Sequence, residues 1–178
     1  MNYKKGFTLT ELLIVTAVFG IFITSVTGIF VYSVRAQKTA LDFKKIVAQT
    51  NYAIELMGRN LRMAEKDRDG TCIPAGTNYQ ITRENSGIKF INVLQDHKCQ
   101  EFFWDPVSQQ IKFDNGDTII DLTSPNIKIT KLRFELSGDT LGDYLQPMVK
   151  IVIEAQSKTG SGKINLQTTI SQRNPDAY

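Results

Sequence analysis

Between Lys5 and Arg35 the chain runs for 29 residues with one charged side chain, Glu11. About 20 apolar residues suffice to cross the hydrocarbon core of a bilayer, so this segment is long enough to span one. That feature divides the 178-residue chain into a membrane-type segment and a polar remainder. The remainder is still large enough to bury a modest core, which fits one domain plus an appendage better than two full domains. The formal charge of +3 says little about partners, and it falls to +1 if Met1 to Gly6 are removed with Lys4 and Lys5. Nucleic-acid binding calls for a basic stripe with many phosphate contacts. No such stripe is visible in the sequence, so no specific nucleic-acid site is expected.

An ordinary secretory signal has a basic start, an apolar core of roughly 7–15 residues and a small-residue cut site beyond it. Here Met1-Asn2-Tyr3-Lys4-Lys5 supplies the basic start, but the apolar run is about twice that length. No Ala-x-Ala site lies at a suitable distance. The residues Lys4-Lys5-Gly6-Phe7-Thr8-Leu9-Thr10-Glu11-Leu12-Leu13-Ile14-Val15 instead resemble the type III signal of type IV pilins and type II secretion pseudopilins. The resemblance covers about a dozen residues, with basic pair, glycine, phenylalanine and glutamate all in register. It implies that a prepilin peptidase cuts between Gly6 and Phe7 on the cytoplasmic side. It further implies that the new Phe7 amine is N-methylated and that the apolar segment stays with the mature protein.

The chemistry of Glu11 points the same way. A carboxylate inside the hydrocarbon region costs a few kcal/mol on insertion scales, and such residues are usually functional. Cleavage before Phe7 would create a cationic partner, an α-amine roughly one helical turn away. The family resemblance implies that the pairing is intermolecular, the amine of one subunit meeting Glu11 of its neighbour during assembly. A glutamate snorkelling near the membrane edge is the alternative. Lysines and arginines flank both ends of the segment (Lys4 and Lys5, then Arg35, Lys38, Lys44 and Lys45), so charge alone does not fix its orientation.

The first proline is Pro74, so nothing in the sequence forbids one helix from Phe7 to about Ala64, roughly 58 residues and about 87 Å. Phe7–Val34 is apolar all round, suited first to lipid and then to a helical bundle. In Leu41–Ala64, apolar positions Phe43, Val47, Thr50, Ile54, Met57, Leu61 and Ala64 recur at steps of four and three. They mark one face of a helix lying on a sheet. Gly20 and Gly28 interrupt the apolar half; small residues let helices approach closely in membranes. Many members of the resembled family carry proline where this chain has Gly28, which leaves a kink there open and is more typical of minor subunits.

After Ala64 short alternating runs take over. The pattern predicts strands at Tyr79–Arg83, Ile88–Leu94, Glu101–Asp105, Gln110–Asp114, Thr118–Leu122, Ile127–Leu136, Met148–Gln156 and Lys163–Gln172. Asn115-Gly116 is a two-residue hairpin signal and Lys158–Gly162 reads as a hairpin loop. The expected fold class is α+β, a long helix packed on a mostly antiparallel sheet. Asn174–Tyr178 is expected to fray. The stretches Tyr52–Ala64, with Arg59-Asn60-Leu61-Arg62-Met63-Ala64, and Leu166–Asn174 resemble W-type minor pilins and J-type pseudopilins, which are usually placed at or near filament tips.

Other chemistry finds little support. Lys158–Lys163 lacks the glycine and the Ser or Thr that a phosphate loop needs at 157 and 164. The single histidine, His97, makes a His-based triad or zinc site improbable, and a loop position is expected. Asp114-Asn115-Gly116-Asp117 offers oxygens suited to calcium without the full loop spacing, and reads as a turn. Phe102-Phe103-Trp104 is either an adhesive patch or core, and strand alternation favours core. Cys72 and Cys99 form an even pair, which in an exported domain favours a disulfide over two buried thiols. Such a bridge would close a loop of roughly 28 residues, worth about 3 kcal/mol.

The reading is thus a leader at residues 1–6, a transmembrane and filament-core helix at 7–34, and an extracytoplasmic domain at 35–178 that includes the amphipathic helix to about 64. No enzyme activity and no cofactor are expected. The resemblance implies as partners other pilin or pseudopilin subunits, the prepilin peptidase, an inner-membrane assembly platform and, before assembly, membrane lipid. Two alternatives are a major pilin and a signal-anchored binding domain that never polymerises.

Overall fold

A computed structural model describes residues 6–139, 145–158 and 162–173. The expected frayed tail Asn174–Tyr178, residues Met1–Lys5 of the expected leader and most of the expected Lys158–Gly162 loop lie outside the described residues. By packing, the chain divides into two compact units, Met1–Leu41 and Asp42–Tyr178.

Helix α1 spans Leu9–Arg62, close to the expected Phe7–Ala64. In the first unit its apolar side chains are exposed all round, from Leu9 through Phe19, Phe22 and Phe30 to Tyr32. Several of its hydroxyls bond the helix's own backbone. Thr16 donates to the Leu12 carbonyl at 3.0 Å, Thr24 to Gly20 at 3.1 Å, Ser25 to Ile21 at 2.9 Å and Thr27 to Ile23 at 2.8 Å. A segment that turns its polar groups onto its own backbone meets the demand the hydrocarbon makes of a spanning helix. It is long and apolar enough to cross a membrane.

In the second unit the helix buries Ile46, Thr50, Ala53, Met57 and Leu61. The buried stripe is therefore rotated from the expected one. Phe43 is 46% exposed, and Val47 and Ile54 are only half-buried. Small residues explain the rotation. Ala53 and Gly58 let the backbone approach the sheet closely enough that a Cβ on Gly58 would lie 3.4 Å from Ile170 Cδ1. Counting only large apolar residues overlooks the side on which a helix can come nearest.

Among the described residues nine strands follow: β1 (Ala64–Glu65), β2 (Gln80–Thr82), β3 (Gly87–Asn92), β4 (Lys98–Asp105), β5 (Gln110–Asp114), β6 (Ile119–Asp121), β7 (Ile127–Ser137), β8 (Met148–Ser157) and β9 (Lys163–Ser171). All pairings are antiparallel, but they form two sheets rather than one. In the first, β3-β4-β5-β6 run in order, and β1 and β2 lie end to end along the free edge of β3. The second is the meander β7-β8-β9. A single core joins them, with Phe90, Phe102, Phe113, Phe134, Ile151 and Ile153 buried beside Met57 and Leu61 of the helix. Phe102 stacks between Phe90 at 5.7 Å and Phe113 at 4.4 Å.

The last carbonyls of α1 have no partners within the helix. Distant segments supply donors to Leu61 and Arg62, and to Met63 and Ala64 just beyond the helix. Tyr79 Oη–H donates to Leu61 O at 2.7 Å, the Arg173 amide to Arg62 O at 3.0 Å, the Val93 amide to Met63 O at 3.1 Å, and the Gln172 side chain to Ala64 O at 2.8 Å. A buried amide chain adds to this, with Asn92 donating to Asn60 on α1 at 2.9 Å and to Gln100 on β4 at 3.1 Å.

Candidate functional site

The N-terminal end of α1 holds the residues singled out by the sequence. Gly6 and Phe7 precede the helix and are exposed, Phe7 at 81%. Their peptide bond thus lies outside regular structure. Thr8 is the residue before the first helical position, and Glu11 sits in the first turn. The two form a reciprocal cap. The Thr8 amide donates to Glu11 Oε2 at 3.0 Å, the Thr8 hydroxyl donates to the same oxygen at 2.9 Å, and the Glu11 amide donates to Thr8 Oγ1 at 3.3 Å. This is the Thr-x-x-Glu capping box, in which each side chain satisfies a backbone donor that the helix leaves open. A negative charge in the first turn also complements the helix dipole.

Sequence reasoning centred on a cationic mate for Glu11 and missed Thr8, although the Thr8-x-x-Glu11 spacing carries the signal. In the intact chain the Phe7 nitrogen is an amide and carries no charge. The carboxylate is therefore held by its own helix end, one turn from the atom that proteolysis would convert to an amine.

A second cluster surrounds Cys72 and Cys99, which are joined in a disulfide with Cα atoms 5.6 Å apart. Beside it Asp67, 2% exposed, accepts four backbone amides: Asp69 at 3.1 Å, Gly70 at 2.8 Å, Cys72 at 2.7 Å and Ile73 at 3.0 Å. The amides of Cys72 and Ile73 contribute most to holding its carboxyl at about 2, below the ordinary 3.8. A carboxylate so saturated organises a loop and is unsuited to proton transfer. Nothing in the sequence reading had singled out Asp67.

The remaining candidates are placed as follows. His97 lies in the β3–β4 turn at φ 55° and bonds Glu65 of β1, which raises its pKa. Asp114-Asn115-Gly116-Asp117 is a turn. The expected two-residue hairpin is corrected to a four-residue loop, because Asp114 pairs with Ile119. Asn115 Oδ1 accepts the amides of Asp117 and Thr118 at 3.0 and 2.8 Å, which pulls two further residues into the loop. Gly116 adopts φ +90°, and a Cβ there would meet Cys99 O at 3.0 Å. Phe102 and Phe103 are buried and Trp104 is half-buried, its Nε1–H donating to Ile129 O at 3.0 Å. Among the described residues, no three His, Cys, Asp or Glu side chains converge as metal ligands.

Residues 1–27 match the family model described as the prokaryotic N-terminal methylation motif. That motif is the signature of type IV pilins and pseudopilins, and the chain carries it at the N-terminus of its apolar helix. The long helix packed on antiparallel sheets agrees with a pilin-like fold. No curated protein and no solved structure matches the chain.

Proposed function

We propose that this chain is the precursor of a filament subunit, a minor pilin or pseudopilin that takes part in initiating a filament or forming its tip. The observation that carries the reading is the methylation motif at residues 1–27, set on a helix whose apolar half holds Glu11 as its one charge. On this reading a prepilin peptidase removes Met1–Gly6 and methylates the Phe7 amine. The segment 7–34 anchors the precursor in the cytoplasmic membrane and later enters the filament core. The domain at 35–178 stays outside the cytoplasm, and an assembly platform in the inner membrane lifts the subunit from the lipid.

The capping geometry supplies a physical route. Before cleavage, Thr8 satisfies one oxygen of Glu11 locally. After cleavage the cationic amine of a neighbouring subunit competes for the same carboxylate in a low-dielectric setting, where an ion pair outweighs a hydrogen bond from an uncharged donor. Register between subunits then follows from a single ion pair. The W-type and J-type resemblance at Arg59–Ala64 and Leu166–Asn174 supports a place near the tip.

Mass spectrometry of the mature N-terminus tests the reading. The expected product begins with methylated Phe7, and an intact Met1 on the membrane-extracted protein would refute it. Glu11→Ala separates filament subunit from plain anchor: filament incorporation is lost in the first case and the protein stays membrane-bound without other change in the second. Abundance in sheared filaments separates a major pilin from a minor one.

A further inference from the structure

The run Phe102-Phe103-Trp104 is only partly absorbed by the core. Phe102 and Phe103 are buried, whereas Trp104 is half-buried and lines a cleft of about 310 Å³ together with Arg83, Glu84, Ser86 and Pro106. That size is at the lower end of the roughly 300–1,000 Å³ usual for small-molecule sites. The cleft belongs wholly to the second unit and shares no residue with the N-terminal site.

Its walls are set by bonds within the chain. On one side Arg83, Glu84 and Asn85 follow β2 with φ of 49°, 54° and 72°. Three successive side-chain-bearing residues in the left-handed region are costly and must be held by their surroundings. Arg83 O does this, accepting the Ser86 amide at 3.0 Å and the Ser86 hydroxyl at 2.6 Å. On the other side Asp105 accepts the Val107 amide at 3.0 Å and the Ser108 hydroxyl at 2.8 Å, and pairs with Lys112 Nζ at 3.0 Å. Those bonds fix the turn that carries Pro106. The Trp104 amide donates to Ser86 O at 3.0 Å and ties the two walls together. A site formed in advance loses less freedom when a ligand arrives.

The lining selects the ligand. Trp104 Nε1–H is already given to Ile129 O, so the indole offers ring surface and no donor. The Arg83 guanidinium lies 3.8 Å over the Phe103 ring, and its Nε donates to Glu101 at 3.1 Å. Phe103 and Trp104 are consecutive on β4 and take opposite faces of the sheet, so this cation is drawn away from the indole. Glu84 is exposed on the turn, and its carboxylate has no ion-pair partner among the described residues. Glu84 therefore disfavours phosphate, sulfate and carboxylate ligands. Organic cations are held best by rings on several sides, and here there is one ring and a proline. A neutral pyranose suits all of the groups present. Its C–H face carries the slight positive charge that an indole face attracts, and its hydroxyls donate to a carboxylate. We infer that the cleft binds a neutral carbohydrate, with one pyranose ring lying on Trp104 and its hydroxyls donating to Glu84. Ser86 Oγ, whose proton goes to Arg83 O, accepts a further hydroxyl. The inference goes beyond the filament reading and stands without it, since it concerns the globular unit alone.

The test uses the full-length chain in a detergent without a sugar headgroup. Trp104 is the one tryptophan, so its fluorescence reports on the cleft directly. Methyl glycosides of glucose, galactose, mannose and N-acetylglucosamine are titrated beside glucuronate and galacturonate. At least one neutral sugar should give a saturable change in emission, with the uronates at least about tenfold weaker. Glu84→Gln changes an exposed turn residue; it should weaken the neutral sugar about tenfold and remove the discrimination against uronates. Trp104→Leu lacks the fluorophore and is read by saturation-transfer NMR, which should show no sugar contact. Circular dichroism verifies its fold, and if that is lost Glu84→Gln decides alone. No saturable response to any of the sugars at tens of millimolar would overturn the inference, as would sugar binding unchanged in Glu84→Gln. A response to tetramethylammonium or a lysine peptide without one to any sugar would also overturn it and assign the cleft to an organic cation. None of these results bears on processing at Phe7, which the mass of the mature N-terminus decides separately.

Discussion

Replacing Cys72 and Cys99 together by alanine measures what the disulfide contributes. The bond spans a sequence separation of 27, closing a loop of roughly 28 residues. Loop-closure entropy for that length is about 12 cal/mol/K, or about 3.5 kcal/mol at 25 °C. The unit that unfolds, Asp42–Tyr178, has about 137 residues, and at roughly 2.1 cal/mol/K each its unfolding entropy is about 290 cal/mol/K. The double variant should therefore melt about 12 °C below the wild type. Near-ultraviolet circular dichroism of the detergent-solubilised full-length chain reads this through Trp104, the one tryptophan, whose ring is fixed by its bond to Ile129 O. A decrease below about 4 °C would refute the entropic reasoning.

Two further predictions follow from burial and titration. Met57→Ala removes a side chain that is 0% exposed between helix and sheets, and should cost about 2–4 kcal/mol in urea unfolding with an unchanged m-value. Asp67 is depressed to about 2 from 3.8, so its stabilisation is fully present above pH 3.8 and is lost as the pH falls through 2. Asp67→Asn should be less stable at neutral pH and should lose the part of the acid transition lying between those values, as followed by thermal melts from pH 6 to pH 2.

The helix was legible because its evidence is negative and local: no proline before Pro74 and no charge but Glu11 over the apolar stretch. Strands such as Gln110–Asp114 and Met148–Ser157 were legible because one face of each is buried, so alternation persists. The split into two sheets was not legible, since nothing in alternation states which strand is the neighbour of which. The two-residue strand Ala64–Glu65 is too short to show any period and exists because Asn92 and Ile91 offer an edge. At the candidate site Gly6, Phe7 and Glu11 stood out by type and spacing. Thr8 did not, because a threonine is unremarked until its hydroxyl is seen to share the glutamate oxygen. Asp67 was hidden for a similar reason: its role depends on how residues 69–73 fold back around it.

The carbonyl end of α1 carries a consequence for biosynthesis. Two acceptors at this junction, Arg62 of the helix and Ala64 of β1, wait for donors from Arg173 and Gln172, more than a hundred positions later in the chain. Translation delivers the helix first and these donors more than a hundred residues later, so the emerging polypeptide cannot complete this junction until Gln172 and Arg173 have left the ribosome. A chain truncated before Gln172 would hold all the described strands and still lack the clasp that fastens the final turn.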